Sequence, residues 1–223
     1  WQVAMIDRDA PALIEAVEGL KSAHAIVADV SIPDQVDRMV AETLEHFGQI
    51  NALVNNAGVA DFGPIEETTF ERWRTVMDTN LDGAFLCTQA AIPALKETSG
   101  AIVNIASISG LRASTLRVAY GTSKAAVIQL TLQQAAELGE YGIRANVVAP
   151  GPVKTKLSVA VHSQDIIDAY HDAIPLNRYG RERELAEAIV FLCSDRASYI
   201  SGQCLSVDGG FEATGIGLPA LRH

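Results

Sequence analysis

Apolar residues in this chain come in short, nearly continuous runs, separated by longer stretches in which they recur every three or four positions. The runs "QVAMID" (2–7), "HAIVA" (24–28), "NALVNN" (51–56), "AIVNIAS" (101–107), "RANVVAP" (144–150) and "CLSVDG" (204–209) predict strands. Most lack alternation, the pattern of strands covered on both faces in a parallel sheet. The helical period predicts helices around 11–20, 34–47, 69–97, 119–139 and 183–194. Ser31 with Asp34, and Thr68 with Glu71, resemble capping-box starts for the second and third of these. The alternation of strand and helix predicts an α/β fold: a Rossmann-like doubly wound parallel sheet with helices on both faces, in a single domain over 1–223.

In such a sheet ligands bind beyond the carboxyl ends of the strands, so the residues there are candidates for chemistry. Asp7 closes the first run, Asp29 follows the second, Asn55 to Gly58 follow the third, Ser107 closes the fourth, and Pro150-Gly151 follow the fifth. The segment 153–182, with Lys154, Lys156, His162, His171 and Pro175, lacks a strand pattern. Its length for a connection in a compact domain predicts a lid over the site. No linker, repeat or low-complexity stretch interrupts the chain.

Composition narrows the function classes. Lys and Arg total 17 against 27 Asp and Glu, a net charge of −10, and no basic run could track a phosphate backbone. Nucleic acid is thereby excluded as an expected partner. The acidic surface also disfavours acidic carrier proteins and anionic membranes at long range. Cys87, Cys193 and Cys204 sit among apolar residues without metal-ligand or paired spacing. They read as buried thiols in a reducing compartment, and no metal site is expected. No apolar run reaches the roughly 18 residues that span a bilayer, and no signal-like N-terminus precedes the first strand. A cytoplasmic protein without membrane contact is expected.

Tyr120 and Lys124 stand four positions apart in a predicted helix, so both side chains face one small target. A free phenol titrates near about 10, and an ammonium on the same face favours the phenolate. Around this pair, "NNAG" at 55–58, "TNLDGAF" at 79–85, "IVNIASISG" at 102–110, "YGTSK" at 120–124, "RANVVAPGPVKT" at 144–155 and "SGQCLSVDGG" at 201–210 follow in order. Together they resemble the short-chain dehydrogenase/reductase family over essentially the whole chain. Six motifs, each at a predicted strand or helix edge, carry far more weight than any one of them.

The resemblance implies an oxidoreductase that moves a hydride between NAD(H) and a small-molecule alcohol/ketone pair. By that resemblance Tyr120 is the general acid/base, Ser107 hydrogen-bonds the substrate oxygen, and Lys124 supports the tyrosine and holds the nicotinamide ribose. Asn80 resembles the fourth catalytic member, which positions a water that relays protons to Lys124. The resemblance also places Asp29, Val30, Asn56, Ala57 and Gly58 along the adenosine and ribose, and Pro150, Gly151, Val153 and Thr155 at the nicotinamide. Asp7 at the end of its strand favours NAD over NADP, because a carboxylate accepts from ribose hydroxyls and repels a 2′-phosphate. Arg8 pulls the other way, toward that phosphate.

One family element is not found: the glycine-rich turn after the first strand. The opening "WQVAMIDRD" resembles the family's second strand, so roughly 25 residues comprising a strand, the turn and a helix are expected upstream. In the order 3-2-1-4-5-6 the first strand lies at the centre, and a sheet lacking it would carry a gap too wide for hydrogen bonds.

Three other readings stand beside the small-molecule dehydrogenase. A 3-oxoacyl-[acyl-carrier-protein] reductase using NADPH has similar motifs, although charge and Asp7 lean away from it. A non-catalytic nucleotide-binding regulator would be expected to have lost some of Asn80, Ser107, Tyr120 and Lys124. A sugar-nucleotide epimerase shares the tyrosine–lysine spacing but usually adds a substrate domain beyond the position of Gly210. Apolar residues on more than one face of the helices near 82–97 and 119–139, among them Ile128, Leu130 and Leu132, fit the homotetramer that the resemblance implies. Polyols, sugars, cyclic alcohols, hydroxysteroids and hydroxy acids all remain open as substrates, with a polyhydroxylated or small cyclic alcohol the expectation.

Overall fold

The computed structural model describes residues 1–155 and 162–215. Six strands form where the apolar runs predict them: β1 (Val3–Asp7), β2 (Ala23–Val27), β3 (Ala52–Asn55), β4 (Ala101–Ile105), β5 (Arg144–Pro150) and β6 (Cys204–Val207). All pairings are parallel. β3-β4-β5-β6 make one sheet, in register through Ala52 with Ala101, Ala101 with Arg144, and Val147 with Cys204. β1 and β2 make a separate two-stranded sheet.

No ladder joins the two sheets among the described residues, so β1 and β3 each pair along one edge only. These are the two strands that the order 3-2-1-4-5-6 sets on either side of the family's first strand. Val3 and Val54, on β1 and β3, are 45% and 39% exposed, unlike the apolar residues of the central strands. Ala4 and Ile6 of β1 and Leu53 of β3 nevertheless pack against one shared hydrophobic cluster.

Eight helices of the described chain flank the strands: α1 (Ala10–Val17), α2 (Pro33–Phe47), α3 (Phe70–Met77), α4 (Gly83–Thr98), α5 (Ile108–Leu111), α6 (Val118–Leu138), α7 (Gln164–Ala173) and α8 (Glu182–Cys193). Two-sided burial explains the unalternating strands. Ile102 of β4 joins Met39 of α2, Leu95 of α4 and Leu138 of α6 on one face, while its neighbour Val103 joins Leu185 and Leu192 of α8 on the other. Ile102 and Val103 are both fully buried, each burial contributing about 1.5–3 kcal/mol.

Several local expectations are corrected. Ser31 does not cap α2; its amide and hydroxyl both donate to Asp29 Oδ1, and the helix starts on Pro33, whose fixed φ suits a first turn. The third helix is capped one residue later than expected, by Thr69 accepting from the Arg72 amide, because Thr68 donates to the Pro64 carbonyl. The helix expected over 69–97 runs without a break from Phe70 to Thr98, but a π-helical turn, Asp78–Asp82, divides it into α3 and α4. The region 153–182, expected to connect without a strand, includes the amphipathic helix α7, capped by the Ser163 hydroxyl. Of the three thiols only Cys87 is buried; Cys204 is exposed because β6 is an edge strand.

The interior also carries a polar chain that apolar patterning cannot show. Asn104 of β4 is fully buried; its Nδ2 donates to Thr131 Oγ1 and Gln134 Oε1, both at 2.7 Å, and its Oδ1 accepts from Asn55 Nδ2 at 2.8 Å. Gln134 Nε2 continues to Thr88 Oγ1 at 3.0 Å. The network ties β3 and β4 to α4 and α6, directly beneath the strand ends that carry the site. Asn104→Leu strands the Gln134 acceptor in a dry interior and is expected to cost about 3 kcal/mol. Urea unfolding would read this as a lower midpoint at unchanged slope, and a midpoint within error of the parent would contradict it.

Candidate active site

Beyond the carboxyl ends of β3, β4 and β5 the loops enclose a cleft of about 570 Å³. Its walls bring together Asn56, Gly58, Ser107, Tyr120, Lys124, Pro150 and Gly151, residues from the end of β5, three loops and one helix. Tyr120 and Lys124 lie within the first two turns of α6, and their i, i+4 spacing puts Lys124 Nζ 5.8 Å from the Tyr120 ring centroid.

Lys124 is buried, 4% exposed, and its Nζ donates to the Ile105 carbonyl at 2.7 Å. Burial pushes its ammonium down to about 8, since taking a charge out of water disfavours the charged form. An ammonium has three donors, so after the Ile105 bond two are left for cleft contents.

Ser107 follows the end of β4 and caps α5, its Oγ accepting from the Ser109 amide at 3.1 Å. That contact uses an oxygen lone pair and leaves the hydroxyl hydrogen to donate. The expected turn-closing role and a donor role therefore coexist in one side chain.

Asn80 sits in the π-helical turn, buried, behind the cleft wall. Its Oδ1 accepts from the Val59 amide at 2.8 Å, while Nδ2 donates to the Val59 carbonyl and Ser123 Oγ, each at 3.0 Å. The side chain thus clamps the loop after β3 against α6. The π-turn displaces the helix so that Asn80 can reach across, a common use of such turns.

Gly58 separates these parts. A Cβ there would stand 3.3 Å from both Asn80 Oδ1 and Lys124 Nζ, so glycine keeps the space beside the ammonium open. Gly151 is required for packing instead, because a Cβ would collide with Asp208 at 2.6 Å. Asn56 donates its amide to the Val54 carbonyl, closing the turn after β3.

The remaining predicted residues fall outside the cleft wall. Asp7 and Asp29 lie at the ends of β1 and β2. Asp7 Oδ1 accepts from the Asp9 amide at 2.9 Å. The Arg8 guanidinium turns to Asp29 at 3.3 Å. The Ser31 hydroxyl and amide, and then Arg8, hold the Asp29 carboxyl below its usual range. Val30 packs under the start of α4, where a Cβ on Gly83 would meet it at 2.8 Å, and Ala57 is an exposed loop residue. Val153 and Thr155 follow β5, where the chain is tied to Gly180: the Gly180 amide donates to Pro152 O, and the Lys154 amide donates to Gly180 O, each at 2.9 Å.

His162, from the segment 153–182, lines the cleft. Arg117, Tyr170 and Phe211 also line it and are missed by motif reading. Arg117 could have been found from its place one turn before Tyr120; Tyr170 and Phe211 come from distant segments with no local signal. His162 Nδ1 lies 2.9 Å from the Tyr179 hydroxyl, and Tyr170 packs edge-on to both Tyr179 and Phe211.

A nicotinamide dinucleotide fits this donor set. The buried ammonium has donors to spare, and the Cβ-free surface of Gly58 adjoins it. Among the described residues no cluster of His, Cys, Asp or Glu could hold a metal ion, and no helix is long and apolar enough to cross a membrane.

The chain is similar to known proteins along most of its length. A family model described as enoyl-(acyl carrier protein) reductase matches residues 1–212. The 3-oxoacyl-[acyl-carrier-protein] reductase FabG of Staphylococcus epidermidis is 39% identical over 204 residues, 90% of this chain and 83% of the relative. The 2,5-dichloro-2,5-cyclohexadiene-1,4-diol dehydrogenase of Sphingobium indicum is 38% identical over 216 residues, 95% of this chain and 86% of the relative. The crystal structure of a gluconate 5-dehydrogenase from Burkholderia cenocepacia, in complex with NADP and tartrate, superposes with a TM-score of 0.89 at 32% identity, covering 96% of this chain and 86% of that one. Shared sequence, shared fold and the grouping of motif residues around one cleft agree: the chain belongs to the short-chain dehydrogenase/reductase family of oxidoreductases.

Proposed function

We propose that the cleft interconverts a small-molecule secondary alcohol and its ketone with NAD(H) as partner. The convergence of Ser107, Tyr120 and Lys124 on one cleft supports this most strongly. When bound, the nicotinamide accepts or supplies the hydride. Tyr120 Oη takes the alcohol proton or returns it to the ketone oxygen. Ser107 donates its free hydroxyl hydrogen to that same oxygen and fixes its position. The Lys124 cation favours negative charge on the neighbouring Tyr120 oxygen. Its remaining donors suit ribose hydroxyls. Asn80 is a positioning residue for proton transfer toward Lys124, through the loop it clamps.

Asp7, Asp29, Val30, Asn56, Ala57 and Gly58 would hold the adenosine half, and Pro150, Gly151, Val153 and Thr155 the nicotinamide half. The preference for NAD rests on Asp7, whose carboxylate has no cation partner among the described residues, while Arg8 is engaged with Asp29. Calorimetry is expected to give NAD at least about tenfold tighter binding than NADP, with Asp7→Ser reversing the order, since a like charge beside a phosphate costs about 1–2 kcal/mol. Tighter NADP binding by the parent would shift the determinant to Arg8.

A carrier-bound 3-oxoacyl substrate with NADPH is the second reading, favoured by the FabG relative. Turnover of a 3-oxoacyl carrier conjugate well above that of free alcohols would select it. We further propose a cytoplasmic homotetramer. The outward Phe85 of α4 and Leu132 of α6, 48% and 43% exposed, support an interface on those helices.

A further inference from the structure

The walls of the cleft carry two cations, Lys124 and Arg117, and no carboxylate among the described residues. That is unexpected in a chain with 27 acidic residues and a net charge of −10. Lys124 has a task in the reaction proposed above. Arg117 has none.

Most arginines here have partners. Arg8, Arg38, Arg72, Arg74, Arg178 and Arg183 each meet a carboxylate. The Arg117 guanidinium makes no hydrogen bond or ion pair among the described residues and instead lies over the Phe62 ring, 5.0 Å from its centroid. Its charge is felt across the cleft: burial first, and the Arg117 charge second, push the His162 imidazole down. The cationic form of His162 is thereby disfavoured beside Arg117.

The position is built. Leu116 adopts φ 61°, a conformation bulky residues avoid. Its carbonyl accepts from the Gly63 amide at 3.0 Å, and Gly63 bridges to Arg117, so the turn that aims the guanidinium is fixed to the Phe62 loop. Arg117 then precedes Tyr120 by one helical turn, with both on the cleft wall.

We infer that Arg117 anchors a carboxylate of the substrate, so that the alcohol oxidised at Tyr120 belongs to a short hydroxy acid and the ketone to an oxo acid. This rests on the dehydrogenase reading of the same cleft. The guanidinium fork matches a carboxylate with two parallel hydrogen bonds, and a cleft lined by one sign of charge concentrates anions despite the acidic exterior.

The test uses the full-length protein with its preferred nicotinamide cofactor. Short 2- and 3-hydroxy acids are each compared with their methyl esters, for the parent, Arg117→Gln and Arg117→Lys. The parent should favour acids over esters. Arg117→Gln should lower kcat/KM for acids about 100-fold, mainly through KM, and leave esters within about threefold. Arg117→Lys should recover part of the loss. Equal effects on acids and esters would overturn the anchor. Succinate, titrated by calorimetry, separates the two readings. Succinate binding to the parent but not to Arg117→Gln, with no alcohol of any kind turned over, sinks the dehydrogenase and keeps the anchor. No succinate binding and no preference for acids sinks the anchor alone.

Discussion

Tyr120→Phe is expected to lower kcat about 1,000-fold while leaving cofactor binding and the unfolding midpoint essentially unchanged. General acid/base catalysis contributes roughly 10²- to 10⁴-fold. Here one hydroxyl would carry all of it, because among the described residues the cleft holds no carboxylate to stand in. The substitution is clean. The Tyr120 hydroxyl has no hydrogen-bond partner among the described residues, so removing it leaves no buried group stranded, and the ring that packs beside Lys124 remains. Steady-state kinetics on the best alcohol, with calorimetry for the cofactor, checks both halves. Activity within about tenfold of the parent would assign the proton to another group, and His162 is the other such candidate lining the cleft among the described residues.

The strands and most helices were legible because burial on both faces leaves an unmistakable mark: Ile102 and Val103 are both apolar since each face of β4 meets helices. The split of 69–97 into α3 and α4 was not legible, because the π-turn keeps a helical hydrophobic period and is set by Asn80 reaching the Val59 backbone, a tertiary demand. The motif residues that share the cleft were readable from local spacing. Tyr170 and Phe211 were not, since only folding brings α7 and the chain after β6 over the ends of β4 and β5. Asn104 reads in sequence as an interruption of a strand, and its meaning depends on Thr131 and Gln134 being aligned on α6 beneath it.

Lys124→Met is expected to abolish turnover, by about 1,000-fold or more, and yet to stabilise the fold at neutral pH. The ammonium is held from its ordinary value of 10.5 down to about 8 by burial, which corresponds to roughly 3 kcal/mol of desolvation borne by the native state. Loss of the bond to the Ile105 carbonyl returns about 1 kcal/mol of that. A net gain of about 1–2 kcal/mol at pH 7 is the expected balance. Its pH dependence has a definite sign. Below the folded value both states carry the proton and the native state bears the full cost. Between about 8 and 10.5 the native lysine has lost a proton that the unfolded chain retains, so parental stability rises with pH through this window. The methionine variant has no such group and lacks that rise. Urea unfolding of both proteins at pH 7 and near the top of the window should show the variant ahead at the lower pH and the difference shrinking at the higher one. A variant less stable at neutral pH, or a gap that widens with pH, would mean that the ammonium is compensated inside the fold. A buried cation that costs stability when idle is better explained by what it does for Tyr120 and a bound ribose than by packing.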